Sequence, residues 1–98
     1  MNHHIRKIAE IDRVIHEPGR LMIVALLYAV DNADFLYLQH ETEMNKGTLS
    51  SHLSRLEEAE YVEVVKTYRG KIPQTLLHLT DDGRKAFEEY RRKLKGAL

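Results

Sequence analysis

Leu49, Leu53 and Leu56 stand at i, i+4 and i+7, the spacing of one face of an α-helix. Between them the other face carries Gly47, Thr48, Ser51, Ser54 and Arg55, small and polar with no acid. Acids enter only at Glu57, Glu58 and Glu60. A solvated helix usually mixes both charge signs from its start. A helix whose first three turns are small, polar and weakly basic fits a phosphate-lined groove.

The same periodicity, read along the whole chain, predicts the other elements. Ile8, Ile11 and Ile15, with Ile5 one turn earlier, predict a first helix over about 3–16. Pro18 ends it, because the residue before a proline is pushed out of the helical region. Pro18 also suits the first turn of a second helix, running to about Val30 and apolar nearly all round. Asp31 to Asp34 is a turn cluster, and Phe35 fits a very short strand. A third helix covers about 36–43, and Asn45 caps a fourth over about 46–59. Alternation in Tyr61–Lys66 and Thr75–Leu79 predicts two strands, joined by a long, flexible, basic loop with Arg69-Gly70-Lys71 at its tip. Pro73 belongs to that loop or to a sheet edge. Thr80 caps a last helix whose first turn holds Asp81 and Asp82, and whose stripe is Phe87, Tyr90 and Leu94.

The predicted order is α-α-β-α-α-β-β-α. Two helices joined by the short Met44-Asn45 turn and followed by a hairpin make a winged helix-turn-helix, mostly α with a small β-hairpin wing (α+β). The 98 residues fit one domain, and the chain shows no linker, repeat or low-complexity segment.

Composition narrows the chemistry. With no cysteine, disulfides, thiolate catalysis and cysteine-based zinc sites are excluded, which suits a reducing cytoplasm. The N-terminus has no signal-peptide apolar run. The longest apolar run, Leu21 to Val30, is about half the ~20 residues of a membrane span. No membrane contact is expected. The 15 basic and 15 acidic residues cancel, so only their distribution informs. No acid lies between Glu63 and Asp81, where Lys66, Arg69 and Lys71 stand, and Arg84 to Lys95 is mainly basic. Acids gather at Asp31–Glu43 and at Glu57–Glu63. Such patches are compatible with one basic face.

Three stretches carry a family resemblance. Pro18-Gly19-Arg20-Leu21-Met22-Ile23 has the form Pro-x-Arg-Leu-x-Ile. Gly47 to Glu57 is the second stretch. Leu79 to Phe87 reads Leu-Thr-x-x-Gly-Arg-x-Ala-Phe. From Ile11 to Leu94 the chain resembles the small winged-helix transcriptional regulators related to the MarR and ArsR families, in their compact archaeal and bacterial form. The resemblance implies a homodimer that binds double-stranded DNA and regulates transcription, and it leaves open whether a small-molecule effector binds. The sequence departs from the family at Glu60, where glycine is usual after the recognition helix. A left-handed residue there would cost about 1–2 kcal/mol. It departs also at His40, Glu41 and Glu43, acidic for a helix beside phosphates.

Expected DNA contacts are Lys46, Gly47, Thr48, Ser51, Ser54 and Arg55 on the fourth helix, with Ser50 and His52 flanking that face. Lys66, Arg69 and Lys71 are expected contacts on the wing. Arg55 suits a guanine edge or a phosphate, Gly47 a close backbone approach, and the helix N-terminus a phosphate. His52 is equally suited to DNA contact and to a partly buried spacer. Arg69 suits a minor groove. Ile8, Ile11, Ile15, Phe87, Tyr90 and Leu94, on the terminal helices (about 3–16 and 81–95), are expected at a two-fold interface. Arg20 is expected in an intramolecular salt bridge.

Six histidines invite a metal, but His3-His4 are adjacent and no HxxxH pair occurs, so none is expected. Catalysis is not expected either. Ser51 and His52 are neighbours whose side chains diverge on a helix, and no Gly-rich loop or carboxylate pair appears. The alternative class is a winged helix used as a protein-interaction module in transcription or chromatin machinery. RNA binding is a further alternative, disfavoured by the narrow A-form major groove.

Overall fold

The computed structural model describes residues 3–98. Its elements are a 3-10 helix His3–Glu10, α1 Pro18–Ala29, β1 Ala33–Asp34, α2 Phe35–Thr42, α3 Lys46–Glu58, β2 Val62–Arg69, β3 Ile72–Leu79 and α4 Asp81–Ala97. The three strands form one antiparallel sheet in the order β1-β3-β2. This is the expected winged helix-turn-helix, mostly helical with a β-hairpin wing.

Local chemistry sets each helix start. The Glu17 carboxylate accepts from Arg20 N at 2.7 Å, Asp34 from Leu36 N at 2.6 Å and Asn45 from Thr48 N at 2.8 Å. Each satisfies a first-turn N–H that the helix leaves without a partner. Thr80 Oγ1 accepts from Gly83 N at 2.9 Å and donates to Glu60 O at 2.6 Å, while Thr80 N donates to Tyr61 O at 3.0 Å. One residue thus joins the end of α3, the base of the wing and the start of α4. Gly83 is required at that junction, since a Cβ there would lie 2.1 Å from Tyr61 O.

The end of α3 is a Schellman motif. Tyr61 N donates to Leu56 O at 3.0 Å and Glu60 N to Glu57 O at 2.9 Å. The geometry needs a left-handed residue, and Glu60 supplies it with φ 64°. The expected departure from glycine is therefore met by a strained glutamate in an unaltered cap. Glu43, at the end of α2, is also left-handed, with φ 57°.

The core is one cluster formed by Ile23, Val24 and Leu27 of α1, Leu38 of α2, the three leucines of α3, Val62 and Leu77 of the sheet and Phe87 of α4. Ile11 and Ile15 belong to it too.

Three expectations are corrected here. The first helix does not run to His16 as an α-helix. It is a 3-10 helix that stops at Glu10, because the Asp12 carboxylate accepts from Val14 N at 2.8 Å and Ile15 N at 3.2 Å, and so competes with the helical pattern. The wing has no long flexible loop. Its strands run to Arg69 and Ile72, a pair closed by Gly70-Lys71, with Gly70 at φ 65°. Pro73 sits inside β3, beyond the reach of β1, which pairs only with Leu76 and Leu77. Finally, Ile11, Ile15, Phe87 and Tyr90 are buried within the single chain and have no area left to offer a partner. The 3-10 helix and the turn after it pack onto α4, with His16 Nδ1 2.9 Å from Tyr90 Oη. Ile8 and Leu94 remain half-buried.

Candidate nucleic-acid interface

Burial of Leu49, Leu53 and Leu56 against α1 and β2 fixes which side of α3 faces out. Helical geometry then places Gly47, Ser51, Ser54, Arg55 and Glu58 opposite the leucines. Lys46, Gly47, Thr48, Ser50, Ser51, Ser54 and Arg55 are all exposed. The expected contact residues of α3 therefore share one surface, His52 excepted.

His52 points inward. Its ring lies over Gly19, whose Cβ, if it had one, would sit 2.6 Å from Nε2. Its Nδ1 is 3.4 Å from Arg20 Nη1 and 3.8 Å from Glu17 Oε1. The imidazole spaces α3 from the start of α1, and the reading of His52 as a DNA contact is withdrawn. Arg20 is held within the chain, but the expected salt bridge is not found among the described residues, and its side chain meets two backbone carbonyls and His52 instead. Its Nε donates to Val14 O at 2.5 Å and Nη2 to Arg13 O at 3.5 Å.

Gly47 is free of any such constraint. The nearest atom to a Cβ there would be Asn45 Oδ1 at 3.6 Å, ordinary contact. The fold does not demand glycine at this position, so the demand, if there is one, comes from outside the chain. The outward stripe ends in an acid. Glu58 Oε2 lies 3.8 Å from Arg55 Nη1, both well exposed, and lends Arg55 a carboxylate that a phosphate or base must replace.

A groove separates α3 from the wing. Lys46, Ser50, Ser54 and the Glu57 carboxylate line it on the α3 side, Lys66 and Thr75 on the wing side, and Asp34 and Gln39 join them from β1 and α2. The hydroxyls and two ammonium groups suit a sugar-phosphate strand, while the Asp34 and Glu57 carboxylates in the same groove oppose one. Arg69 and Lys71 stand at the tip. Lys66 and Arg69, three residues apart in a strand, project to opposite faces of the hairpin, so the wing cations do not form one surface. On α2, His40, Glu41 and Glu43 are exposed, the acidic departure the sequence announced.

The wing is braced near its middle by a contact that sequence reasoning missed. Gln74 Nε2 donates to Asp34 Oδ2 at 2.9 Å. This bond first, with the amide donors of α2, holds the Asp34 carboxyl below its usual range against the opposing effect of burial. Behind the interface, Tyr61 Oη donates to Asp12 Oδ2, and burial followed by that bond pushes the phenol up to about 12. Nothing in the spacing of Asp34 and Gln74, or of Asp12 and Tyr61, announces either pair.

Among the described residues no group of His, Cys, Asp or Glu side chains comes together to hold a metal, and no helix is long and apolar enough to cross a membrane. The His3 and His4 side chains lie outside what is described.

The sequence family described as a winged helix DNA-binding domain matches residues 20–98. The chain belongs to that family. It is 34% identical over 79 residues to uncharacterized protein MJ0432 of Methanocaldococcus jannaschii, covering 80% of this chain and 85% of that one. A transcriptional regulator homologue from Pyrococcus horikoshii superposes with a TM-score of 0.86 at 27% identity, covering 92% and 91% of the two chains. The transcriptional repressor BigR from Xylella fastidiosa superposes with a TM-score of 0.67 at 22% identity, covering 89% and 83%, and shares the fold.

Proposed function

We propose that this winged-helix protein is a repressor that binds a pseudo-palindromic duplex site as a homodimer. The observation that carries the reading is the exposed, acid-free start of α3, whose residues Lys46 to Arg55 stand across a hydroxyl-lined groove from Lys66. In this reading α3 lies in a major groove and the wing straddles the adjoining backbone. Arg55 reads a base or anchors a phosphate, and Thr48 and Ser51 flank it. Ser50 and Ser54 face the strand held in the groove. Two-fold symmetry sets the half-sites about one helical turn, ~34–36 Å, apart or a multiple of it. Occupying a promoter excludes polymerase, and BigR, a repressor of the same fold, supports that sign.

Of the six residues expected at the two-fold interface, Ile8 and Leu94 still have surface to give. Exposed Ile5 and Leu98 add apolar area near the chain ends. Regulators of this kind act in the cytoplasm, and the reading requires neither cofactor nor effector.

The test is selection of bound fragments from the host genome, followed by titration of the recovered duplex. The logarithm of affinity should fall with that of salt by about 0.9 per phosphate neutralised. Arg55→Ala should cost roughly 1–3 kcal/mol on the selected site if Arg55 reads a base, and an equal amount on every sequence if it holds phosphate. A salt-independent response, or recovery of no enriched fragment, would support a protein-interaction module instead. A monomer at micromolar concentration in gel filtration would remove the homodimer.

A further inference from the structure

The wing carries more than charge. Tyr68 and Ile72, on either side of the Arg69-Gly70-Lys71 tip, are 70% and 69% exposed. They are among the most exposed large apolar side chains of the chain, and they occupy a hairpin overhang that has no core beneath it. Tyr68 pairs with Pro73 and Arg69 with Ile72. Strand alternation therefore puts Tyr68 and Pro73 on the face that carries Lys66, and Arg69 and Ile72 together on the opposite face. The closing turn has only two residues, so the tip is stiff enough to aim them.

We propose that the wing tip drives Ile72, beside Arg69, into the minor groove as an apolar wedge. The operator is thereby kinked away from the protein's tip at a pyrimidine–purine step. This rests on the DNA-binding reading above. Three observations select duplex DNA as the occupant of this apolar surface. Its immediate neighbours are cations, with no acid anywhere from Val64 to Thr80. The reach is right, because the strand positions separating Ile72 from fully buried Leu77, which lines the groove beside α3, span about 17 Å at ~3.3 Å per residue. That is half of the ~34 Å helical turn, the separation of a major groove from the next minor groove. The tip is also narrow, only two strands wide, because β1 pairs no farther out than Leu76.

The chemistry follows known behaviour of each partner. An arginine guanidinium is drawn to the negative potential of a narrow minor groove. A branched aliphatic side chain entering between base steps partly unstacks them and bends the duplex. Pyrimidine–purine steps yield most easily, so Ile72 confers sequence preference at a position where no side chain reads a base edge. Tyr68 and Pro73 then rest on the sugars bordering the groove that holds Lys66.

The probe is the duplex that the wild-type protein selects from a random-sequence pool, labelled at its ends with a donor–acceptor dye pair. Wild-type protein should shorten the end-to-end distance. The selected duplexes should share a TA or CA step at a fixed distance outside each half-site. Ile72→Ala should relax the bend and weaken binding roughly tenfold. Ile72→Thr keeps the β-branched shape that suits a strand, guards against a hairpin defect, and should do the same. Neither variant should change the salt slope, since no phosphate contact is lost, whereas Arg69→Ala or Lys71→Ala should reduce it by about one. Wild-type binding with a steep salt slope on straight DNA would overturn the wedge and leave the repressor reading intact. So would Ile72 variants that bend DNA as the wild type does, or DNA-independent self-association abolished by Ile72→Thr. Failure of the wild type to select any duplex would overturn both.

Discussion

Gly47→Ala separates what the fold wants from what the interface wants. Gly47 is the second residue of α3, after Asn45 as cap and Lys46. A methyl there meets only Asn45 Oδ1 at 3.6 Å, so no clash opposes it. Alanine is the better helix former by about 1 kcal/mol in a helix interior. In a first turn roughly half of that is expected, raising the melting temperature by about 2–4 °C for a chain of this size. DNA binding should move the other way. The N–H groups of Lys46 and Gly47 have no partner inside the helix and point to where a phosphate would sit. A Cβ leans toward the helix N-terminus, into the same space. Loosening one amide–phosphate bond costs about 1.5 kcal/mol, slightly more than tenfold in Kd. Thermal melts followed by circular dichroism and fluorescence anisotropy on the selected duplex measure both sides. A variant that is more stable and binds as tightly as wild type would show that the start of α3 does not approach phosphate through its backbone.

Further substitutions test the supports of the site. Glu60→Gly relieves the positive φ in the α3 cap and should stabilise the protein by about 1 kcal/mol in urea titrations, with DNA affinity unchanged. Gly83→Ala drives a methyl into the Tyr61 carbonyl and should cost about 2–3 kcal/mol, read as a lowered urea midpoint. Tyr61→Phe removes the donor to Asp12 and should cost about 1 kcal/mol at neutral pH. Because the folded phenol is raised, its contribution is complete below pH 10 and is lost as pH climbs toward about 12, so urea titrations between those values should show the wild type weakening more steeply than Tyr61→Phe. The Asp34 carboxyl is shifted the other way. Its contribution is complete above the ordinary carboxylate range and vanishes as pH falls through its lowered value, and Asp34→Asn should flatten that acid limb.

The sequence made α3 legible because two independent signals agreed there. Asn45 marked the start, and the leucine spacing marked the buried face, which left the outer face determined. The cap and opening acids of α4 were equally plain. Ile11 and Ile15 misled, since their helical spacing is satisfied by a 3-10 helix and a turn that both feed the core. Asp12, a single side chain with two amide partners, ended the regular helix, and such local competition leaves no periodic trace. The burial of those isoleucines then removed them from the surface on which a partner could sit. The hairpin tip was read too long because Pro73 looks like a strand breaker. The strand tolerates it because β1 stops at Leu76, three residues short of Pro73, so one side of Pro73 is a free edge. His52 was undecidable by angle alone, lying at the border between the buried and open sides of α3, and only the missing side chain of Gly19 drew it inward.

Thr80 has a mechanical consequence. It pins the carbonyl that follows the recognition helix, a carbonyl at the wing's root and the first amides of the last helix to one hydroxyl and one N–H. Asp34 and Gln74 pin the hairpin a second time, nearer its middle. Two fasteners on one lever fix its angle, and the fully paired strands with their two-residue turn carry that angle out to the tip. If α3 reads DNA as proposed, it therefore arrives at the duplex already oriented, with little entropy to lose.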